Sequence, residues 1–143
     1  MITFRVYSIL LLALAVTLVS CDERDEPRTP TGITEPLSLV KFSGDNQTVR
    51  VNNTLPARMV VLVTRGTAPV EDERVRFSLI TGNGNVFKPA SPQTILSVSL
   101  PTDKHGKASA TLRAFAPGET FTVRAIVEAE PTLEVTFTHT SIP

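Results

Sequence analysis

Cys21 is the only cysteine of the 143-residue chain. It closes the tetrapeptide Leu18-Val19-Ser20-Cys21, directly after an apolar run. A lone cysteine cannot form an intramolecular disulfide, but a thiol at this place is a candidate attachment point for a lipid. Because a covalent lipid would determine where the protein resides, Cys21 is the residue whose chemistry matters most in this sequence.

The remaining sequence gives little sign of catalytic chemistry. It contains no Gly-x-Ser-x-Gly elbow, no Walker loop, no His-Glu-x-x-His and no Cys-x-x-Cys. With the single cysteine assigned to lipid attachment, thiol catalysis and zinc–thiolate sites are excluded. We therefore predict that the protein is not an enzyme and has no catalytic residue, no bound metal and no cofactor.

Two groups of polar residues could in principle hold a metal ion. Asp103 and His105 share a turn, and residues 71–73 (Glu-Asp-Glu) form an acidic segment that could attract calcium. Two ligands in one turn, with no further convergent group, favour turn formation, and we expect the acidic segment to be solvated. The second histidine, His139, lies near the C-terminus, where we expect it to face solvent from a strand.

Arg74, Arg76 and Arg124 occupy the polar positions of alternating segments, so they could line one wet sheet face and form a ligand surface. The alternative is that they keep an exposed face soluble and prevent edge-to-edge pairing of strands. The sequence leaves both interpretations open.

The first 20 residues are typical of a secretory signal. Residues 1–5 carry one positive charge, and residues 6–19 are almost wholly apolar. This apolar run is too short to span a bilayer comfortably, which needs roughly 20 residues. A charged start, a short apolar core and small residues before a cleavage site predict a signal peptide over residues 1–20.

The end of this segment, Leu18-Val19-Ser20-Cys21, resembles the bacterial lipobox. The resemblance implies cleavage between Ser20 and Cys21, a diacylglycerol on the Cys21 thiol, and acylation of the new amino group. Two or three acyl chains on one residue would make membrane attachment effectively permanent, since each buried CH₂ contributes ~0.8 kcal/mol. An ordinary signal peptide with a chance cysteine, or an uncleaved anchor, remains the alternative.

Residues 21–36 are predicted to form a lipidated flexible linker. After Cys21 they contain three prolines and one large apolar residue, Ile33, too little apolar surface to offset the entropy of ordering. Fully extended at ~3.1 Å per residue, the linker would reach on the order of 45 Å. Its acidic start, residues 22–26, resembles inner-membrane retention signals of some bacteria and surface-export signals of others; a solvated spacer is the third possibility.

Residues 37–143 alternate apolar and polar side chains with a period of two, which is typical of antiparallel sheets with one buried face. Acidic and basic residues are equal in number, 14 each, which gives no indication of nucleic-acid binding. Turn-forming residues separate the alternating segments, so the sequence predicts an all-β, immunoglobulin-like antiparallel β-sandwich with Greek-key connections. Its core would contain Phe77, Phe137, Val61, Val75, Val123 and Val135. The alternation covers residues 37–42, 59–64, 74–79, 95–100, 107–113, 122–127 and 133–138.

An ordered set of short motifs over about residues 42–140 resembles the bacterial Ig-like domain of group 1, the Big-1 module of intimin- and invasin-type adhesins. The motifs include Ser43-Gly44-Asp45-Asn46-Gln47, Val75-Arg76-Phe77, Thr102-Asp103-Lys104-His105-Gly106-Lys107-Ala108 and Phe121-Thr122-Val123-Arg124-Ala125. The resemblance implies an Ig-like fold, and a protein or glycan partner or a stalk function.

These expectations describe a lipid-anchored, non-catalytic module of the bacterial cell envelope, at the outer membrane or cell surface, acting in adhesion, display or structural interaction. It would contact the membrane through a lipid, including palmitate, on Cys21. The alternative is an accessory lipoprotein of a secretion or surface-assembly machine, docking a partner strand through a sheet edge.

Overall fold

The computed structural model describes residues 34–90 and 95–143, which form one compact unit from Thr34 to Pro143. Ser20, Cys21, the predicted signal over residues 1–20 and residues 21–33 of the predicted linker lie outside the described residues. Among the residues that are described, no helix is long and apolar enough to cross a bilayer. The described residues form ten strands: β1 (Leu37–Ser43), β2 (Gln47–Arg50), β3 (Met59–Arg65), β4 (Ala68–Pro69), β5 (Arg74–Thr81), β6 (Gly84–Phe87), β7 (Ser97–Pro101), β8 (Lys107–Ala114), β9 (Thr120–Val127) and β10 (Glu134–Ile142).

The strands form two sheets. One has the order β1-β3-β8-β6, with the short strand β4 also paired to β3, and the other has the order β2-β10-β9-β5-β7. The chain changes sheet between β1 and β2 and again on either side of β6, so neighbouring strands are rarely consecutive, as in a Greek-key sandwich. The pairs are antiparallel except β2 with β10, which is parallel. The prediction of an immunoglobulin-like β-sandwich is confirmed, with this one parallel pair as an addition.

The core lies between the facing sides of the two sheets, where the predicted alternation places the apolar residues. Phe77 and Phe137 are fully buried, with ring centroids 6.5 Å apart. Val61, Val75 and Val123 are also fully buried, whereas the expected core residue Val135 is only partly buried at the start of β10. Other buried apolar side chains complete this core: Leu37, Leu39, Val49, Leu55, Met59, Val63, Val86, Leu100, Ala108, Ala110, Leu112, Ala114, Phe121, Ala125 and Val127.

Three strands were not anticipated, one of which is the two-residue strand β4. Residues 47–50 form β2, although the sequence shows no alternation long enough to indicate a strand there. Gly84 and Asn85, expected to belong to a turn, instead begin β6 and pair with Ala114 and Arg113 of β8. A side chain at Gly84 would approach the carbonyl oxygen of Arg113 to 2.5 Å. The glycine that suggested a turn therefore permits close strand packing.

Buried polar side chains attach the loops to the sandwich. The Ser141 hydroxyl donates to the carbonyl of Ala116 (2.6 Å) and accepts from the N–H of Glu119 (3.0 Å), which ties the β8–β9 loop to β10. Gln47 donates to the carbonyls of Gly44 (2.6 Å) and Ala57 (2.9 Å) and accepts from the N–H of Ala57 (2.7 Å). These bonds hold the loops that surround the ends of the sheets in defined positions.

Candidate interaction surface

The carboxylate of Asp103 is used within its own turn. It accepts hydrogen bonds from the N–H groups of His105 (2.8 Å) and Lys107 (3.0 Å) in the connection between β7 and β8. The bond from Lys107, followed by that from His105, lowers the pKa of the Asp103 carboxyl. The expectation that Asp103 and His105 form a turn is confirmed. Across residues 34–90 and 95–143, no group of three or more His, Cys, Asp or Glu side chains is placed to hold a metal ion.

The acidic segment 71–73 is held against the same turn by Thr102. The buried Thr102 hydroxyl donates to the carbonyl of Val70 (2.6 Å) and accepts from the N–H of Glu73 (2.9 Å). The main chain adds bonds from Asp72 N–H to Thr102 oxygen (3.0 Å) and from Thr102 N–H to Glu73 oxygen (2.9 Å). The segment is therefore positioned by its main chain, while Glu71 and Asp72 are exposed.

His139 does not face solvent, so that expectation is wrong: only 1% of the residue is exposed. Phe137, His139 and Ser141 alternate along the inward face of β10. One edge of β10 pairs with β9, and the other edge pairs with β2. The Nδ1 atom accepts from the N–H of Gln47 at 3.4 Å, and among the described residues Nε2 has no hydrogen-bond partner. Burial lowers the pKa of His139, and the negative charge of Asp45 opposes this in part.

Arg76 and Arg124 lie on the outer face of the second sheet, as the alternation predicts. Each is about half exposed and lies 3.7 Å from a carboxylate oxygen, Arg76 from Glu128 and Arg124 from Glu134. Exposed pairs of this kind contribute little to stability, about 0–1 kcal/mol. The charges of Arg76 and Arg124 are therefore balanced locally by these carboxylates.

Unbalanced charge occurs instead at the side of the sandwich where β6 and β7 are the edge strands. Three shallow clefts of about 380, 330 and 350 Å³ adjoin one another there. The first and second share Lys88, Leu100 and Pro101, and the first and third share Arg58 and Pro89. We refer to the three together as the basic edge cleft.

The basic edge cleft is lined by five cationic side chains and one carboxylate. The carboxylate is that of Asp103, which is already engaged by the backbone of its turn. In the described part of the chain, none of the five cations lies in a salt bridge with a carboxylate. The five cations are Arg58, Arg74, Lys88, Lys107 and Arg113, of which Lys107 also has its ammonium over the ring of Phe42, 3.6 Å from the centroid.

Sequence reasoning singled out only Arg74 among these five, and grouped it with the arginines of the sheet face. Lys107 and Arg113 are both at outward positions of β8, which the alternation of that strand does indicate. Arg58 and Lys88 lie in connections, before β3 and after β6, and no local pattern brings them together. The cations come together because the edge strands of the two sheets, β6 and β7, lie on the same side of the sandwich.

The same fold occurs in two proteins of known structure. The D0-D1 domain of intimin matches with a TM-score of 0.53 and 22% identity, over 73% of this chain and 46% of that one. Domains 4 and 5 of the S-layer protein SbsC match with a TM-score of 0.50 and 12% identity, over 78% of this chain and 46% of that one. The chain thus spans about half the length of each.

No family model matches the chain, and no curated protein is significantly similar to it in sequence. The likeness to the intimin domain is one of fold, and it agrees with the immunoglobulin-like architecture expected from the Big-1 motifs. Residues 43–47 begin at the end of β1 and pass into β2, and residues 102–108 form the turn between β7 and β8 with the start of β8.

Proposed function

We propose that the protein is a lipid-anchored, non-catalytic module of the bacterial cell envelope, whose Ig-like domain acts in adhesion, display or structural interaction. The observation that carries this proposal is the fold, which is shared with a domain of intimin and with domains of an S-layer protein. A surface location and a binding or stalk function would follow from that likeness.

The polar residues of the domain support a structural and binding function. Asp103 and Thr102 bond to the main chain of loops, and His139 is packed into the core beside Phe137. Groups held in this way maintain the fold, and the remaining concentrated charge, the basic edge cleft, is open to a partner. We infer that the domain works by recognition rather than by catalysis.

The anchor in this proposal is a lipid on Cys21, with cleavage after Ser20. It rests on the lipobox-like sequence and on the position of Cys21 before a proline-containing, polar segment. A domain that begins at Thr34 would then be joined to the membrane through residues 21–33.

Palmitate labelling of cells that express the wild type or Cys21→Ser tests the anchor. The wild type should incorporate label, and the variant should not, while the two proteins remain equally abundant. Protease treatment of intact cells in the same experiment tests surface display. Equal labelling of the two proteins would contradict lipidation at Cys21, and complete protease resistance on intact cells would contradict surface exposure.

A second candidate function is docking of an extended partner segment in an envelope assembly. It is favoured by β1, which within residues 34–90 and 95–143 is an edge strand paired with β3 alone, and which exposes Val40 (47%) and Phe42 (53%). Long, apolar edge strands are templates for pairing with another chain. Val40→Lys should abolish crosslinking of the protein to its partner in cells, whereas the control Ile80→Lys, on β5, should retain it. Crosslinking that persists in Val40→Lys would exclude the β1 edge as the docking site.

A further inference from the structure

The basic edge cleft concentrates positive charge in a chain with no net charge. The full sequence has 14 acidic and 14 basic residues, yet the lining of the cleft has five cations and only the carboxylate of Asp103. Like charges gathered on one surface repel each other, so such an arrangement lowers stability unless a counter-charge is bound. The distribution points to an anionic partner.

The spacing of the cations indicates a chain of negative charges rather than one small anion. The cations are distributed over three adjoining clefts, each with two or three of them, and each cleft is open to solvent. Lys88 lines both the first and the second cleft, and Arg58 lines both the first and the third. These two side chains therefore connect the three clefts. A linear polyanion could contact them in succession.

The edge of β7 is poorly suited to strand addition by a peptide. The connection that leaves β6 approaches it, because Lys88 lines the same cleft as Val98 and Leu100. The N–H of Val86 also donates to the carbonyl of Ile95 (3.0 Å), which holds the two ends of this connection together. Pro101, the last residue of β7, has no N–H to offer a partner strand.

The uncharged part of the lining fits a polyhydroxylated chain. Hydroxyl groups from Thr54 and Ser109 line two of the three clefts, together with the cations. Hydroxyl side chains can donate to and accept from sugar hydroxyls, whereas the shallow clefts offer no deep pocket for the large apolar anchors that peptides use.

We propose that the basic edge cleft binds an acidic polysaccharide, with Arg58 and Lys88 as its central contacts. This inference rests on the proposed function to the extent that the domain acts by recognition. The cations contact carboxylate or sulfate groups along the chain, and the hydroxyl side chains contact its sugar units. The acidic segment 71–73, held beside Thr102, limits the cationic surface at one end.

The test measures binding of the full-length protein, kept in detergent, to alginate, dextran sulfate, neutral dextran and poly-L-glutamate. Alginate and dextran sulfate supply carboxylate and sulfate charges, and dextran has the backbone of dextran sulfate without its charge. We expect binding to at least one acidic polysaccharide, none to dextran, and weaker binding to poly-L-glutamate. Binding should weaken as salt rises from about 0.1 M to 0.5 M, because exposed charges are screened.

Variants locate the site. Arg58→Glu with Lys88→Glu should weaken binding of the acidic polysaccharide about tenfold or more, since two attractions become repulsions. Arg50→Glu with Arg124→Glu is the matched control, because it changes the net charge equally on β2 and β9, away from the cleft, and should alter the affinity less than about twofold. Thermal unfolding of each variant shows that it is folded.

Three results would overturn the proposal: no binding of either acidic polysaccharide, equal loss of affinity in both double variants, or poly-L-glutamate binding as tightly as the polysaccharides. The last result would assign the cleft to acidic peptides instead. These outcomes are independent of palmitate labelling at Cys21, so failure of the polysaccharide proposal and failure of the lipid anchor can be told apart.

Discussion

The carboxylate of Asp45 accepts a hydrogen bond from the backbone N–H of Thr138 at 2.8 Å, although 93 residues separate them in the chain. The same oxygen accepts from the N–H of Asn46 (3.0 Å), and the other oxygen pairs with the Lys41 ammonium. Asp45 therefore attaches the β1–β2 turn, where the chain changes sheet, to the middle of β10. This contact helps to place β2 beside β10 in the parallel pair.

We expect Asp45→Ala to lower the free energy of unfolding by about 1–3 kcal/mol, because it removes a charge-assisted hydrogen bond and leaves the Thr138 N–H unpaired. Urea denaturation at neutral pH measures the change. Glu71→Ala, at an exposed loop position without positive φ, is the comparison for the loss of a carboxylate alone. Equal effects of the two substitutions would contradict a clamping function for Asp45.

Acid should weaken the Asp45 clamp. Partial burial acts to raise the pKa of Asp45, but the hydrogen bonds from Lys41, Thr138 and Asn46 outweigh it and lower the pKa below 3.8. A lowered folded-state pKa means that the stabilisation is present above 3.8 and is lost as pH falls through the folded-state pKa. Unfolding curves of wild type and Asp45→Asn between about pH 5 and pH 2 should converge at the acidic end; parallel curves would exclude this linkage.

The buried His139 should make the domain less stable in mild acid. Burial lowers its folded-state pKa below 6.5, so the unfolded chain binds the proton more readily. The stabilisation is complete above 6.5 and is lost as pH falls through the folded-state pKa. Thermal unfolding from about pH 7.5 to pH 5 should show this decline in the wild type and a weaker one in His139→Phe. His105→Gln, at the exposed turn, should show the same decline in stability as the wild type. If the decline were lost in His105→Gln, the effect would belong to His105 and not to His139.

Phe77 and Phe42 form a matched pair of phenylalanines in opposite environments. Phe77→Ala should cost ~3–5 kcal/mol, because a fully buried ring is removed from the core. Phe42→Ala should cost about 1 kcal/mol or less, mainly through the Lys107 ammonium that lies 3.6 Å from its ring centroid. Chemical denaturation of both variants measures the difference, and similar costs would place Phe77 outside the core.

Gly44 and Gly118 separate backbone strain from steric overlap. Both have positive φ, +87° and +73°, so Gly118→Ala should cost about 1–2 kcal/mol from conformation alone. A side chain at Gly44 would overlap the carbonyl oxygen of Arg58, whereas nothing lies within 4 Å at Gly118. Gly44→Ala should therefore be the more destabilising of the two by thermal unfolding, and the reverse order would argue against the close approach of Arg58.

The local alternation predicted most of the core, as the inward residues Met59, Val61 and Val63 of β3 illustrate. It failed at β2, whose four residues include a single buried apolar side chain, Val49. It also failed at His139, which was expected to face solvent from a strand, although the inward period of Phe137 continues through His139 to Ser141. Short or polar strands form where a longer neighbour offers free main-chain groups, and this depends on the rest of the chain.

The alternation along the sequence was enough to predict the all-β sandwich, because a period of two decides locally which side chains must leave water, and the motifs that resemble Big-1 added the Ig-like arrangement. The sequence also supports the predictions for Ser20 and Cys21, which rest on local motifs. Only the tertiary structure decided that β2 lies parallel to β10, that His139 is buried, and that cations from residue 58 to residue 113 share one edge. Such relations depend on pairings between distant segments, whose energies are set by the assembled fold.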